Sequence, residues 1–397
     1  MRELKEIIKS LWKRKLSSLL LCIQIVVSLF IFILIACVFQ QIVYLRDIVP
    51  SNLDTKEDSI IHMMFAESTS MKSFSKLSDY INSIDGVQTF NNFRTKYLEF
   101  PELDGDENGE VNKVCLGQGM ELIKHLDIIE GRPLEDKDYE QQKGNKPVVV
   151  GYQFYTNNGL SIGSEIKDQS DTVYEIVGVL KEGSNWFFQS ISDALFQSLD
   201  YAIVAPTWNQ EEEMEVALHY YCVIEDPRLA DQIQSNIKTY ASEHKISMES
   251  EMLQTELQEN LTKMMDKNIK WLVFCGFFIF ATSIGTATVI LSALYTRKRE
   301  IGIRIALGYS IAKLKRLFVG QISVITLLAF IIATILSYII IGPYNSVINI
   351  ENTGMYMSCE VLAAAFFIAV IISIPTTVAL LYKLNRIQPR EVIGGRE

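Results

Sequence analysis

Four long stretches without a charged side chain constrain the fold of this 397-residue chain more than any other feature. They cover residues 16–45, 271–296, 317–350 and 361–382, which are 30, 26, 34 and 22 residues long. About 20 apolar residues cross a bilayer as a helix. We therefore predict transmembrane helices at 16–45, 271–296, 317–342 and 361–382, and an outer loop at 343–360 that begins near Gly342-Pro343.

The charged residues predict the orientation of these helices. Residues 1–15, 297–316 and 383–397 carry 17 Lys or Arg against five Glu, whereas residues 46–270 carry 20 basic and 40 acidic residues. Because basic loops remain in the cytosol, both termini and the 297–316 loop are predicted to be cytosolic. The 225-residue acidic segment is then extracytoplasmic, and its charge argues against nucleic acid binding.

The first 15 residues predict a helix that lies in the inner headgroup plane. One face of this helix would be apolar and the remainder basic. The alternative, a basic N-terminus without structure, explains the charges but not the apolar spacing. The apolar face consists of Leu4, Ile7, Ile8, Leu11 and Trp12.

The segment TRKREIGIRIALGYS, residues 296–310, lies between the second and third uncharged stretches. Glu300 precedes Arg304 by four residues, which is the spacing of an ion pair on one helix face. Gly308 can close such a helix in the left-handed conformation, and Ser310 can cap the next one. We predict a cytosolic docking helix and loop at 297–316. The alternative is a basic loop that only obeys topology rules.

The extracytoplasmic segment, residues 46–246, shows alternating strand and helix patterns. The two ends of this segment predict a split α+β subdomain, and the residues between them, about 101–214, predict a β-rich insertion. The predicted strands lie at 58–66, 87–100, 148–150, 174–180 and 215–224, and the predicted helices at 72–85 and 227–244.

Residues 247–270 predict a stalk helix that continues the second transmembrane helix outward. No Gly or Pro occurs from Ser247 to Cys275, and one apolar stripe runs along the helix. The alternative is an amphipathic helix packed on the external domain. The stripe consists of Leu253, Leu257, Leu261 and Met265.

The docking segment resembles the signature of the FtsX-like/MacB-like permeases, the membrane subunits of a class of ABC transporter. Residues 130–134, 147–151, 162–166 and 174–180 resemble the extracytoplasmic domain of that family, and residues 387–391 resemble its C-terminal end. The residues that the resemblance assigns to ATPase docking are Arg297, Lys298, Arg299, Glu300, Ile301, Gly302, Arg304, Ala306 and Gly308.

This resemblance implies an α-helical membrane protein with four transmembrane helices in a 1+3 arrangement and a large α+β extracytoplasmic domain between the first and second helices. It also implies a cytosolic ABC ATPase partner, which would carry ATP and Mg, and a second permease copy, identical or different. Further partners would be an extracytoplasmic adaptor, a substrate-delivery protein or a hydrolase. The expected location is the bacterial cytoplasmic membrane.

Motifs for catalysis on this chain are lacking. The sequence has no GxxxxGK[ST] phosphate-binding loop and no HExxH motif, and its four histidines are dispersed. The six cysteines have no metal-ligand spacing, and for Cys115 and Cys222 both a disulfide and two free thiols stay open. We therefore predict no catalytic site, no metal site and no cofactor on this chain.

The expected function is a non-catalytic membrane subunit that transmits ATP-driven motion to the external domain. Export of a peptide, lipid or drug-like molecule is the leading interpretation. The alternative is mechanical control of an extracytoplasmic partner such as a cell-wall hydrolase, without transport.

Overall fold

The computed structural model describes residues 15–66, 69–106, 109–140, 145–193, 195–207, 218–296, 301–303, 305, 308–348, 355 and 357–385. The chain divides into two compact units. The membrane unit comprises residues 1–42, 264–349 and 354–397, and the α/β unit comprises residues 43–263 and 350–353.

Within the described residues, four helices are long and apolar enough to cross a membrane. They are α1 (Lys15–Ser51), α5 (Leu253–Thr296), α6 (Ile311–Ile348) and α7 (Cys359–Asn385). The α/β sequence therefore lies between the first and second apolar helices, as predicted. The predicted helix at residues 1–15 and the tail after Asn385 lie outside the described residues, apart from the beginning of α1 at Lys15.

The third apolar helix is longer than its predicted span of 317–342. It begins at Ile311, within the predicted docking loop, and continues past Pro343 to Ile348, within the predicted outer loop. The prediction that Gly342-Pro343 ends the helix was wrong. Neighbouring groups can replace the hydrogen bond that a proline removes, so a membrane helix tolerates it.

The α/β unit contains a four-stranded antiparallel sheet, in the described residues, with strand order β13-β1-β12-β2. Its strands are β1 (Ile60–Phe65), β2 (Val87–Asn91), β12 (His219–Ile224) and β13 (Met248–Met252). Helices α2 (Met71–Asn82) and α4 (Ala230–Glu243) cover one face.

Both helices form because their apolar side chains recur at helical spacing. Phe74, Leu77 and Ile81 are the buried side chains of α2, and Ile233 and Ile237 are buried in α4. These side chains pack against alternate residues of the sheet in one hydrophobic cluster. This split subdomain therefore has the α+β character that its sequence predicts.

The second sheet of the α/β unit has the strand order β3-β4-β11-β6-β8-β5 in the described residues, with β7 also paired to β8. Its strands are β3 (Phe93–Leu98), β4 (Val111–Leu116), β5 (Ile128–Gly131), β6 (Lys146–Val150), β7 (Glu165–Lys167), β8 (Val173–Leu180) and β11 (Ala202–Pro206). The short helix α3 (Tyr152–Asn157) follows β6, and β9 (Asn185–Phe187) and β10 (Phe196–Ser198) pair as a separate two-stranded antiparallel sheet.

Two predicted boundaries of this insertion were wrong. The predicted strand at 87–100 is two strands, since β2 belongs to the four-stranded sheet and β3 to the larger one. Asn92, which is buried, separates them, and its carbonyl accepts a hydrogen bond from Gly117 N at 2.8 Å. The inserted sheet therefore begins at Phe93, not near residue 101, and its last strand ends at Pro206. Residue 214, the predicted end, lies outside the described residues.

The predicted start of the stalk helix was also wrong. Residues Met248–Met252 form strand β13, which pairs antiparallel with β1, and helix α5 begins at Leu253. Glu249 and Glu251 face the same side as their partners Met64 and His62, because directly paired residues share a face of the sheet. These residues therefore form a strand because they pair with the edge of the sheet, although their sequence contains no residue with a strong strand preference.

Candidate functional site

The predicted docking segment is described only in part. Residues 301–303 and residue 305 are helical, and Ile301, which is 2% exposed, belongs to a hydrophobic cluster with Leu294, Phe318 and Leu384. This cluster joins the ends of α5 and α7 to the beginning of α6. Ile301 thus packs against these helix ends.

The end of this segment has the local structure that its sequence predicts. Gly308 adopts φ +88°, a conformation that an L side chain rarely takes. Its N–H donates to Ile305 O at 3.0 Å. The Ser310 hydroxyl accepts a hydrogen bond from Lys313 N at 3.3 Å and so caps α6. The predictions for Gly308 and Ser310 are confirmed.

Basic side chains lie over aromatic rings at the same end of the membrane unit. Lys313 Nζ is 4.6 Å from the ring centroid of Tyr309, and Lys383 Nζ is 4.7 Å from that of Tyr295. These contacts place positive charge beside the ends of α5, α6 and α7. Six of the predicted docking residues lie outside the described residues: Arg297, Lys298, Arg299, Glu300, Arg304 and Ala306. Their role stays a prediction.

The predicted stalk stripe is anchored at its N-terminal end. Leu253 and Leu257 are buried in the main cluster of the α/β unit together with Leu45 and Val49 from the end of α1, and Leu261 packs against that cluster. Met265, in contrast, is 45% exposed. The two chain connections of the α/β unit therefore share one core, and the packed part of the stripe is limited to its first three members.

Polar side chains link the helices inside the membrane unit. Ser28 Oγ and Thr282 Oγ1 are 2.5 Å apart, and Thr286 Oγ1 and Thr376 Oγ1 are 2.8 Å apart. A Cβ added at Gly285 would collide with the amide of Gln24, so the glycine permits the close approach of α1 and α5.

Helix α7 contains Pro375, which has no N–H to donate. Ser283 Oγ donates to Ile372 O in the preceding turn at 3.1 Å. A side chain of α5 thus adds a hydrogen bond to the turn of α7 that precedes the proline, one residue after Ile371, whose carbonyl the proline leaves without its helical N–H partner.

A buried polar chain in the α/β unit was not predicted from the sequence. His62 Nδ1 lies 2.6 Å from Glu256 Oε2, and His62 Nε2 lies 2.9 Å from His219 Nδ1. His62 is 5% exposed, and its ring stacks on Tyr221 with centroids 4.9 Å apart. The four histidines were described as dispersed, but the antiparallel pairing of β1 with β12 brings two of them together.

Burial shapes the electrostatics around this chain. Burial and the neighbouring His62 lower the pKa of His219, against the opposing effect of Glu256. Burial and the charge of Glu256 raise the pKa of Asp193. Both shifts favour neutral forms, so they indicate a site where additional charge is costly.

His62 and Glu256 also line a cleft of about 750 Å³. Residues of β13 and the end of α4 form its other sides, and solvent reaches the polar chain through it. In the part of the chain that the structure describes, no three His, Cys, Asp or Glu side chains form a group that could hold a metal ion. Cys115 and Cys222 are both free thiols.

Comparison with known proteins assigns the membrane unit. Residues 272–389 match the family model described as FtsX-like permease C-terminal. This stretch is similar to the C-terminal domain of FtsX-like permeases. The match begins in α5 and includes the docking segment, α6 and α7, so it confirms the resemblance to FtsX-like permeases for this part of the chain.

Solved structures resemble the other part of the chain. The extracellular domain of the ABC-type transporter YknZ from Gram-positive bacteria is 14% identical, with 48% of this chain and 99% of that chain covered and a TM-score of 0.35. The periplasmic region of MacB from Actinobacillus actinomycetemcomitans is 11% identical, with coverages of 53% and 94% and a TM-score of 0.36. At this distance the likeness says nothing about function. No curated protein matches the sequence.

Proposed function

We propose that this chain is the membrane subunit of an ABC-type complex and that it transmits ATP-driven motion from a separate cytosolic ATPase to the α/β unit. The observation that carries the proposal is the match of residues 272–389 to the FtsX-like permease domain. The segment 296–310, with its Glu300 and Arg304 spacing, lies inside that match and would contact the ATPase.

Helix α5 supports the mechanical part of the proposal. It is one helix of 44 residues, Leu253–Thr296, with a length of about 66 Å at 1.5 Å per residue. Leu253 and Leu257 anchor its first turns in the core of the α/β unit, and Leu294 anchors its last turn in the cluster that contains Ile301. A force applied at the docking segment would therefore reach the α/β unit through continuous hydrogen-bonded backbone.

The proposed assembly contains two permease copies and two ATPase chains, with ATP and Mg bound by the ATPases. Both termini and the docking segment would be cytosolic, and the α/β unit would lie outside a bacterial cytoplasmic membrane. The leading cargo class is a peptide, lipid or drug-like molecule. The second candidate function is mechanical regulation of an extracytoplasmic partner such as a hydrolase. One feature of the membrane unit favours this function over export. In the four uncharged stretches no Asp, Glu, Lys, Arg or His marks a conducting route.

The docking assignment is tested by Glu300→Lys. This change places like charges four residues apart beside Arg304 and should weaken both helix and docking surface. We expect normal insertion, because the loop stays basic, together with a clear loss of ATPase co-purification and of permease-stimulated ATP turnover.

The matched control is Glu391→Lys, which makes the same charge change in the cytosolic tail. If Glu300→Lys keeps wild-type assembly and ATP turnover, the segment is a topological loop and the docking assignment is wrong. To separate the two candidate outputs, cargo release from cells is measured beside partner hydrolase activity.

A further inference from the structure

The Glu256–His62–His219 chain joins three elements that are distant in sequence. Glu256 lies in the first turn of α5, His62 on β1 and His219 on β12. Two hydrogen bonds of 2.6 and 2.9 Å use both ring nitrogens of His62. Because His62 has no remaining polar atom, the geometry of the chain depends on which nitrogen atoms carry protons.

The protons can be counted along the chain. His62 Nδ1 donates to the Glu256 carboxylate, so a neutral His62 accepts at Nε2 and His219 donates from Nδ1. If His62 gains a proton, its Nε2–H donates to His219 Nδ1, and His219 carries its own proton on Nε2. Both hydrogen bonds persist in either state, and the protonated His62 is paired with Glu256.

A second proton breaks the hydrogen-bond chain of Glu256, His62 and His219. When both histidines are protonated, the two nitrogens that face each other at 2.9 Å both carry a hydrogen, and neither can accept. The two positive rings then repel each other while only one carboxylate, Glu256, is bonded to them. The His62–His219 hydrogen bond is lost, and His62 is forced to move relative to Glu256 or to β12.

The surroundings make a second proton costly but allow it to arrive. Tyr221 stacks on His62, and Ser192 hydrogen-bonds Glu256. The exposed Asp193 lies close enough to interact electrostatically with His62 and Glu256. The cleft brings solvent to His62 and Glu256. The other charged groups that line it are Lys238 on α4, Glu249 and Glu251 on β13, and Glu259 and Lys263 on α5.

We propose that Glu256, His62 and His219 form an acid-sensitive latch, which holds the first turn of α5 on the four-stranded sheet near neutral pH and releases it when both histidines are protonated. The latch lies wholly within the α/β unit, so it does not depend on the proposed ATPase. Its consequence for the chain is that acid loosens the anchored end of the helix that leads into the membrane unit.

The sign of the pH effect follows from His219. Its pKa in the folded state is below the usual value of 6.5, because burial and His62 disfavour its charged form. The unfolded or locally opened state therefore binds more protons once the pH falls below about 6.5. The latch is at full strength above that pH and weakens as the pH falls through 6.5 toward the lower folded-state value.

Hydrogen exchange of the full chain in detergent or nanodiscs tests the proposal. Protection of the 253–261 backbone amides, corrected for intrinsic exchange rates, is compared at pH 7.5 and pH 5. We expect protection to fall about tenfold to a hundredfold at pH 5, the range for losing a hydrogen bond to a charged group. Amides of β8, in the other sheet, should keep their protection.

The decisive variant is His219→Asn, whose amide can donate to His62 Nε2 but does not titrate in this range. It should retain protection of residues 253–261 at pH 5. The matched control is His125→Asn, because His125 is exposed and is not among the residues that line the cleft, so the acid response should be unchanged.

Three outcomes overturn the latch. The first is equal protection of residues 253–261 at pH 7.5 and pH 5 in the wild-type protein. An acid loss that is as large in β8 as in 253–261 would mean general unfolding of the α/β unit. A folded His219→Asn variant that still loses protection at pH 5 would place the acid response elsewhere.

Discussion

Replacement of Leu253 by alanine should destabilise the packing of the first turn of α5 more than truncation of any exposed side chain on the same helix. Leu253 is fully buried and Leu257 is 8% exposed, in the cluster that also contains Trp186 and the end of α1. Removal of a buried leucine side chain to Cβ costs about 2–5 kcal/mol, through lost burial and the cavity left behind. Because Leu253 is fully enclosed, we expect about 3–4 kcal/mol.

This magnitude converts into a measurable shift. A unit of roughly 200 residues loses about 2–4 °C of Tm per kcal/mol, so Leu253→Ala should lower the unfolding temperature of the α/β unit by about 6–16 °C. Leu257→Ala should cost somewhat less. The double variant should not be the sum of the two, since both side chains belong to one cluster and their cavities can merge.

The assay is thermal unfolding of the purified full chain, followed by hydrogen exchange of residues 253–261. The control is Met265→Ala, because Met265 is 45% exposed on the same helix and its truncation should change stability by less than about 1 kcal/mol. If Leu253→Ala and Met265→Ala have the same unfolding temperature, the anchoring of α5 in the core of the α/β unit is refuted.

Three further predictions address topology, helix packing and charge burial. In a variant of the chain without its native cysteines, Thr156→Cys at an exposed position should react with a membrane-impermeant thiol reagent on whole cells, and Ala312→Cys, also exposed, should not. The reverse labelling pattern would contradict the proposed orientation. Gly285→Leu should reduce the yield of folded protein in detergent, because the leucine side chain would displace Gln24. The control Gly276→Leu should not, because the space around the Cβ position of Gly276 is open. Equal yields of the two variants would contradict the close packing of α1 and α5. Burial lowers the pKa of Lys124 from 10.5 to about 8, so between these pH values the unfolded state binds more protons than the folded state. The stability of the α/β unit should therefore rise from pH 8 to pH 9.5, as an increase in Tm. If the same increase persists in Lys124→Met, another group causes it.

The elements with strong periodic patterns were predictable from the sequence. The four apolar helices follow from the absence of charge over 22 residues or more, and α2 and α4 follow from apolar side chains at helical spacing. Gly308 and Ser310 were recognised because each residue type has a specific conformational or capping role at a helix end. These features depend on neighbours in sequence, and local physics therefore determines them.

The missed features depend on partners that are distant in sequence. Strand β13 forms because β1 offers a free edge, although residues 248–252 carry two glutamates and no β-branched side chain. The switch between β2 and β3 occurs at Asn92 without a glycine or proline to mark it. The contact of His62 with His219 requires the register of two strands that are separated by 157 positions. No local pattern encodes that register.

The hydrogen bond from Ser283 to Ile372 has a consequence for how these helices can change in evolution. The hydroxyl of Ser283 on α5 donates to a backbone carbonyl of α7, that of Ile372, and not to a side chain. A substitution at position 372 keeps that acceptor, whereas the donor is lost when position 283 changes to a residue without a hydroxyl. The constraint is therefore one-sided: homologous sequences should exchange apolar side chains at position 372 while they keep serine or another small hydroxyl residue at position 283.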